Sequence, residues 1–282
     1  MKQIELINLK ESDLQPAVKV FLKAFQVENE VSIASNIHKL WNDLIRYEIA
    51  DFIAAKVDLS IVGVGALIKF INHGWISFLG VDPDFQKMKI GYNIFQALME
   101  RSQQYSYCSL KLNATETGRK LYLKFNFKPE YEVIQYHLKP EYNLEEFKDW
   151  DIHIDRKIEP WCLNLDQQAF GVDRAVFFKM MIDAGAKIIK CSKQGFGLVS
   201  QDKLGPIVAE NFKIARKIVK FSTVVGVKKI FVPQHSDLSS KYLPGLIANR
   251  KNNLRSCTRM VWGNHLQLND HYMFGAHSFA FG

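Results

Sequence analysis

The hydrophobic period changes repeatedly along the first 140 residues. Gln3–Leu9 alternates weakly and predicts an opening strand. Ser12 and Gln15 read as a capping box, and Ala17, Val18, Phe21, Leu22 and Phe25 follow at helical spacing. A second helix is predicted over 33–49, with Ile37, Leu40, Trp41, Leu44 and Ile45 on one face. Phe52–Val57 and Ile61–Phe70 read as strands joined at Asp58-Leu59-Ser60, and Asn72-His73-Gly74 as a hairpin turn. The apolar run Trp75–Val81 stops at Asp82-Pro83-Asp84, a strand-ending signal. Beyond a basic loop, Gln86–Gly91, helical spacing returns at Ile90, Ile94, Phe95 and Leu98. Tyr107–Leu112 is a predicted strand, Asn113–Gly118 a polar turn, Arg119–Phe127 a short helix and Tyr131–Leu138 a further strand. The order β-α-α-β-β-β-α-β-α-β predicts an α+β fold.

The second half repeats part of this order. Lys187–Cys191, Gly195–Ser200 and Gly205–Ala209 read as strands, Asn211 to about Val225 as a helix, and Lys228–Val232 as a strand. Leu238–Ala248 is then a predicted helix and Cys257–Trp262 a strand. Glu141–Asp155, acidic and without strand periodicity, reads as the linker. The domains expected are 1–142 and 156–282, joined by 143–155.

Length and composition agree with two ordinary domains. The 282 residues are 48% hydrophobic and 23% charged, the balance of a soluble globular protein. Cys108, Cys162, Cys191 and Cys257 show no Cys-x-x-Cys spacing, so neither a disulfide framework nor a zinc site is expected, and a reducing compartment is the simpler reading. The first residues lack an apolar signal-peptide core, and Leu59–Ile68 falls short of the ~20 residues that span a bilayer. A cytoplasmic protein with no membrane partner is expected. Nearly all of the net charge of +8 lies in residues 143–282, which suits an anionic partner or simply a basic surface. Lys213, Arg216, Lys217 and Lys220 form one stripe on the predicted helix. They read either as a steering surface or as a solvated face. No aromatics are interleaved with them, so no nucleic-acid partner is expected.

The chemistry is concentrated in Trp75–Phe127. A loop feeding a helix start aims several unpaired backbone N–H groups at one point, and the helix dipole favours an anion there. Gln86 to Tyr92 is therefore a candidate phosphate cradle. Many strand-loop-helix crossovers bind nothing, so spacing alone does not decide the matter.

Two motifs in this stretch resemble the GNAT acetyltransferase family. Gln86-Lys87-Met88-Lys89-Ile90-Gly91 is similar to its phosphate loop, Gln/Arg-x-x-Gly-x-Gly/Ala. Leu121-Tyr122-Leu123-Lys124-Phe125-Asn126-Phe127 is similar to its Leu-Tyr-x-x-x-Gly-Phe. The resemblance covers roughly residues 1–140. It implies a mixed, mostly antiparallel central sheet flanked by helices, with a second, smaller and degenerate GNAT-like α+β domain. Gly171-Val172-Asp173-Arg174 and Arg259-Met260-Val261 also look like two-domain members of bacterial type. The second half has no copy of the phosphate loop; Gly205-Pro206-Ile207-Val208-Ala209-Glu210-Asn211 stands in its place.

The resemblance implies acetyl-CoA as co-substrate. Leu79, Gly80 and Val81 would hold its pantetheine arm by backbone bonds, a free N–H there would serve as oxyanion donor, and Gln86, Lys87, Met88, Lys89, Ile90, Gly91 and Tyr92 would hold the pyrophosphate. It also implies Tyr122 as general acid to the departing thiolate; a phenol of pKa ~10 against a thiol of ~8.5 is only weakly uphill. Tyr122 reads equally as a core residue. Lys89 replaces the loop's first glycine. A side chain in left-handed backbone costs ~1–2 kcal/mol, although Lys87 and Lys89 add charge that suits phosphate. Asn126 replaces glycine where left-handed geometry is best tolerated by Asn. The general base is not legible: Asp82, Glu116, His137, His235 and Asp237 are candidates, and each reads also as an ordinary surface or turn residue. No metal is expected, since no ligand cluster occurs. The expected activity is N-acetyl transfer to a small-molecule amine by direct attack in a ternary complex, by a monomer or homodimer. The alternative is a non-catalytic acyl-CoA sensor.

Overall fold

The computed structural model describes residues 4–27, 31–139, 145–246, 254–264 and 270–282. It divides into two compact units, Met1–Lys111 and Leu112–Gly282.

In the first unit β1 (Ile4–Asn8) leads through a 3₁₀ turn, Glu11–Asp13, into α1 (Leu14–Ala24). Ser12 does not cap this helix. The Asp13 carboxylate instead accepts the Lys10 N–H at 3.1 Å, so the chain enters through the tighter turn. α2 (Val31–Arg46) buries Trp41 and Leu44. β2 (Ala50–Val57) and β3 (Ser60–Lys69) form a hairpin, and β4 (His73–Val81) follows. His73 opens β4, paired to Ser109, rather than belonging to the turn. α3 (Ile90–Gln104) then crosses to β5 (Ser109–Ala114), which spans the division between the units. The strand order is β1-β2-β3-β4-β5, antiparallel except for the parallel pair β4–β5.

Helices cover both faces of this sheet. Ile90 and Ile94 of α3 lie where a Cβ on Gly63 would stand, at 2.9 and 2.8 Å. Ala24 of α1 lies 3.1 Å from the Cβ position of Gly80, which is paired with Val64 and so faces the other side. Under α1, Phe21, Trp41, Phe52 and Phe78 stack with centroids 5.0–6.0 Å apart.

The second unit holds α4 (Glu116–Lys124) and β6 (Lys128–His137). α4 begins earlier than its apolar spacing predicts, because the Thr115 hydroxyl accepts the Gly118 N–H at 3.2 Å and caps it. β7 (Ile152–Asp155) forms inside the segment read as linker, pairing residue for residue with β8. Two apolar positions are too few to show a period. α5 (Pro160–Phe170) and α6 (Ala175–Asp183) follow. Phe177, Phe178, Met180 and Met181 of α6 are buried, while Val176, Lys179 and Asp183 form its exposed face. Next come β8 (Lys187–Cys191), β9 (Gly195–Ser200), β10 (Lys203–Ala209), α7 (Phe212–Val224) and β11 (Lys229–Pro233). A π-helical turn, Leu238–Tyr242, leads into α8 (Leu243–Leu246); the rest of the predicted helix lies outside the described residues. β12 (Ser256–Gly263) and β13 (Met273–Gly275) complete the chain's elements. The order here is β12-β6-β11-β10-β9-β8-β7, with β13 on β10. β6 sits between β11 and β12 and runs antiparallel to both. Each unit is thus a mixed, mostly antiparallel sheet with helices packed on it.

Candidate active site

The predicted strand Trp75–Val81 does not stay regular. Ala66 pairs with Ser77 and Val64 with Gly80, so Phe78 and Leu79 together oppose the single residue Gly65. This is a β-bulge, and Phe78 at φ 55° carries its strain. Three aromatic rings hold the Phe78 ring in place, those of Phe21, Trp41 and Phe52. On its other edge β4 pairs with β5 only through His73, Gly74 and Trp75. Among the described residues of this unit, β4 from Ile76 to Val81 therefore has a strand partner on one side alone. Leu79, Gly80 and Val81 lie on this open end, Gly80 buried and the other two half-buried.

The chain then turns at Pro83–Phe85, where the Asp82 carboxylate accepts the Asp84 N–H at 3.0 Å. Gln86 folds back, its side-chain amide donating to the Val81 carbonyl at 3.3 Å. Lys87 and Lys89 both adopt left-handed backbone, at φ 65° and 61°. The N-cap of α3 is Lys89, with no side-chain cap. The first bond into the helix runs from Asn93 N–H to the Lys89 carbonyl at 2.9 Å. The N–H groups of Lys87 to Gly91 find no acceptor among the described residues. Buried Ile90 pins the helix start to β3, while Lys87, Met88, Lys89 and Tyr92 are exposed around it. Backbone N–H groups at a helix start, flanked by Lys87 and Lys89, are chemically suited to an anion.

One contributor has no local signal in the sequence. Lys23, at the end of α1, reaches Asp82 at 2.7 Å and Asp84 at 2.6 Å. Partial burial pushes the Asp82 carboxyl up, but Lys23 and the Asp84 N–H outweigh it and hold the group below the usual range.

In the second unit Tyr122 lies on α4, 8% exposed, its ring 6.3 Å from that of Phe127. Burial, and then Cys257, raise its hydroxyl above the ordinary tyrosine value, which makes it a weaker acid than a free phenol. Asn126 stands at φ 63°, the left-handed conformation its place in the motif requires.

Each candidate base is either tied to a local partner or exposed at the surface. Asp82 is bound to Lys23, and Glu116 is exposed in the first turn of α4. His137 is exposed and 2.9 Å from the Gln135 amide, His235 rests on the Tyr131 ring at 4.6 Å, and Asp237 pairs with Lys241 at 2.9 Å. The basic stripe is largely engaged: Lys220 binds Glu146, Lys217 lies 5.1 Å from the Trp150 ring and Arg216 5.3 Å from that of Tyr242. Among the described residues no His, Cys, Asp or Glu group is arranged to hold a metal, and no helix is long and apolar enough to cross a membrane.

A bulged strand open on one edge thus runs into a helix start with unbonded N–H groups, an arrangement that suits an extended, phosphate-bearing ligand. Models described as the acetyltransferase (GNAT) domain match residues 23–136 and, separately, 162–275. The chain belongs to the GNAT acetyltransferase family and carries two GNAT domains. No curated protein matches it in sequence. Among solved structures, a protein from Pyrococcus horikoshii assigned as an acetyltransferase shares the fold at TM-score 0.90. It is 23% identical, over 100% of this chain and 97% of its own. A GCN5-related N-acetyltransferase from Kribbella flavida reaches TM-score 0.60 at 11% identity, over 92% of this chain and 71% of its own.

Proposed function

We propose that this protein is an acetyl-CoA-dependent N-acetyltransferase acting on the amine of a small molecule. The observation that carries the reading is the continuous run from the open edge of β4 at Leu79–Val81 to the unbonded N–H groups of Lys87 to Gly91. The first would take an extended pantetheine arm by strand-like backbone bonds, and the second a pyrophosphate. Acetyl-CoA supplies an acetyl group activated as a thioester. A backbone N–H at the bulge stabilises negative charge on the reacting carbonyl oxygen. Tyr122, which keeps its proton at neutral pH as any tyrosine does, would return one to the departing sulfur, a transfer that its burial makes more uphill than for a free phenol. The acceptor amine attacks directly, with both substrates bound. We divide the chain by function at 1–142 and 156–282; family matches at 23–136 and 162–275 support two domains, and the second is read as degenerate because it lacks the phosphate loop. We take the protein to be cytoplasmic, a monomer or homodimer, with no metal, nucleic-acid or membrane partner.

No candidate base is singled out by its surroundings, which favours one second reading, an acyl-CoA-binding sensor without turnover. Calorimetry with acetyl-CoA, followed by turnover over an amine panel, separates the two. Heat with turnover supports the enzyme, heat without turnover supports the sensor, and no heat at millimolar coenzyme sinks both.

A further inference from the structure

The second unit reproduces the open-edged strand of the first, then fills it. β8-β9-β10-α7-β11 follows the path of β2-β3-β4-α3-β5: two antiparallel hairpins, a crossing helix and a parallel strand. β10 pairs with β11 only at Lys203 and Leu204, much as β4 pairs with β5 only at its first residues. The ladder of β10 on β9 is then irregular between Leu204 and Ile207, as that of β4 is at Phe78. Past this point the edge of β10 is taken. β13 runs antiparallel along it, Ile207 opposite Gly275 and Val208 opposite Met273. On its far side the Ala276 N–H donates to the Phe231 carbonyl of β11 at 2.8 Å.

The fit is tailored. A Cβ on Gly205, whose φ is 158°, would stand 2.0 Å from the Ala276 carbonyl oxygen, and a Cβ on Gly275 would stand 2.8 Å from the end of Ile207. Only bare backbone on both strands allows this approach. The helix start is closed as well. The Asn211 side chain accepts the Ile214 N–H at 3.1 Å, with Glu210 beside it in sequence, whereas Lys89 caps α3 with no side-chain bond. An anion arriving at α7 would meet an occupied donor and a carboxylate.

We propose that the second unit retains a coenzyme-type cleft whose permanent occupant is the protein's own segment Met273–Ala276, so that each chain takes a single acyl-CoA, in the first unit. The backbone of β13 adds to β10 as an extended pantetheine arm would add to β4. This inference rests on the proposed function only for the first unit's ligand; the self-occupied cleft stands independently of it.

Residue-resolved hydrogen exchange on the full chain, with and without coenzyme A, tests both parts. In the free protein the Ala276 amide and segment 207–209 are expected to be protected, and coenzyme A leaves them unchanged. Protection at 78–81 and 87–91 rises roughly tenfold or more on its addition, and calorimetry gives a stoichiometry of one. Fast exchange at Ala276 in the free protein overturns the plug, as does slowing at 207–209 with a stoichiometry of two. If coenzyme A changes nothing anywhere, the proposed function fails, while the free-protein exchange still decides the plug. Gly205→Ala adds a directed arm: eviction of β13 speeds Ala276 exchange roughly tenfold and leaves coenzyme affinity in the first unit intact. Unaltered Ala276 exchange in that variant counts against the plug, and should the variant not fold, the wild-type exchange pattern decides.

Discussion

The Lys89 carbonyl accepts the Asn93 N–H at 2.9 Å while Lys89 itself stands at φ 61°, so a lysine holds the left-handed cap of α3 where its family favours glycine. The strain of that backbone is about 1–2 kcal/mol. Lys87, also left-handed, keeps a positive charge at the loop. Lys89→Gly is therefore expected to raise the unfolding midpoint and to leave coenzyme A affinity unchanged or improved, by thermal melts and calorimetry. Abolished binding would show that the Lys89 ammonium is itself a phosphate ligand.

Lys23 joins α1 to the turn before the cradle by pairing with Asp82 and Asp84. Ion pairs near the surface add little to stability, so the effect of Lys23 is expected at the proposed anion site beside it. Without this lysine two carboxylates stand uncompensated beside the cradle. Lys23→Met should weaken coenzyme A binding roughly five- to tenfold at low salt, and the loss should shrink at high salt. Lys23→Arg should bind like wild type, and a salt-independent loss would point to distorted packing instead.

Tyr122 is buried and protonated at neutral pH. Tyr122→Phe is expected to lower kcat roughly a hundredfold while the coenzyme dissociation constant changes little. The converse, weakened coenzyme with unchanged kcat, would make Tyr122 a packing residue.

Burial, then Lys203 and Arg174, hold the His277 imidazole well below its ordinary value of 6.5. It lies between the rings of Phe177 and Phe281, at 5.3 and 5.4 Å. Because its native pKa is depressed, the unfolded chain takes up a proton near pH 6.5 that the native state refuses. The stability it contributes above that pH is lost as pH falls further, by up to about 1.4 kcal/mol per pH unit. Urea midpoints from pH 7.5 to 5 should fall more steeply for wild type than for His277→Phe. Equal slopes would assign the acid sensitivity to other groups.

Local features of the site were legible in the residues. Asp82-Pro83-Asp84 ends a strand, the loop from Gln86 opens a helix, and Asn126 takes left-handed backbone. The Leu121–Phe127 motif stands at the family's separation from the loop. Each of these depends on neighbours a few residues away, so pattern and propensity suffice.

The residues by themselves carried the resemblance to the GNAT family and the α+β order of elements, with the loop-like motif in the first half. Tertiary structure decided what no local period encodes. Lys23 meets the turn before the cradle, β6 enters between β11 and β12, and β13 closes the second cleft between β10 and β11. These contacts join segments tens of residues apart, and the ion pair and backbone pairings that make them exist only once the chain is assembled.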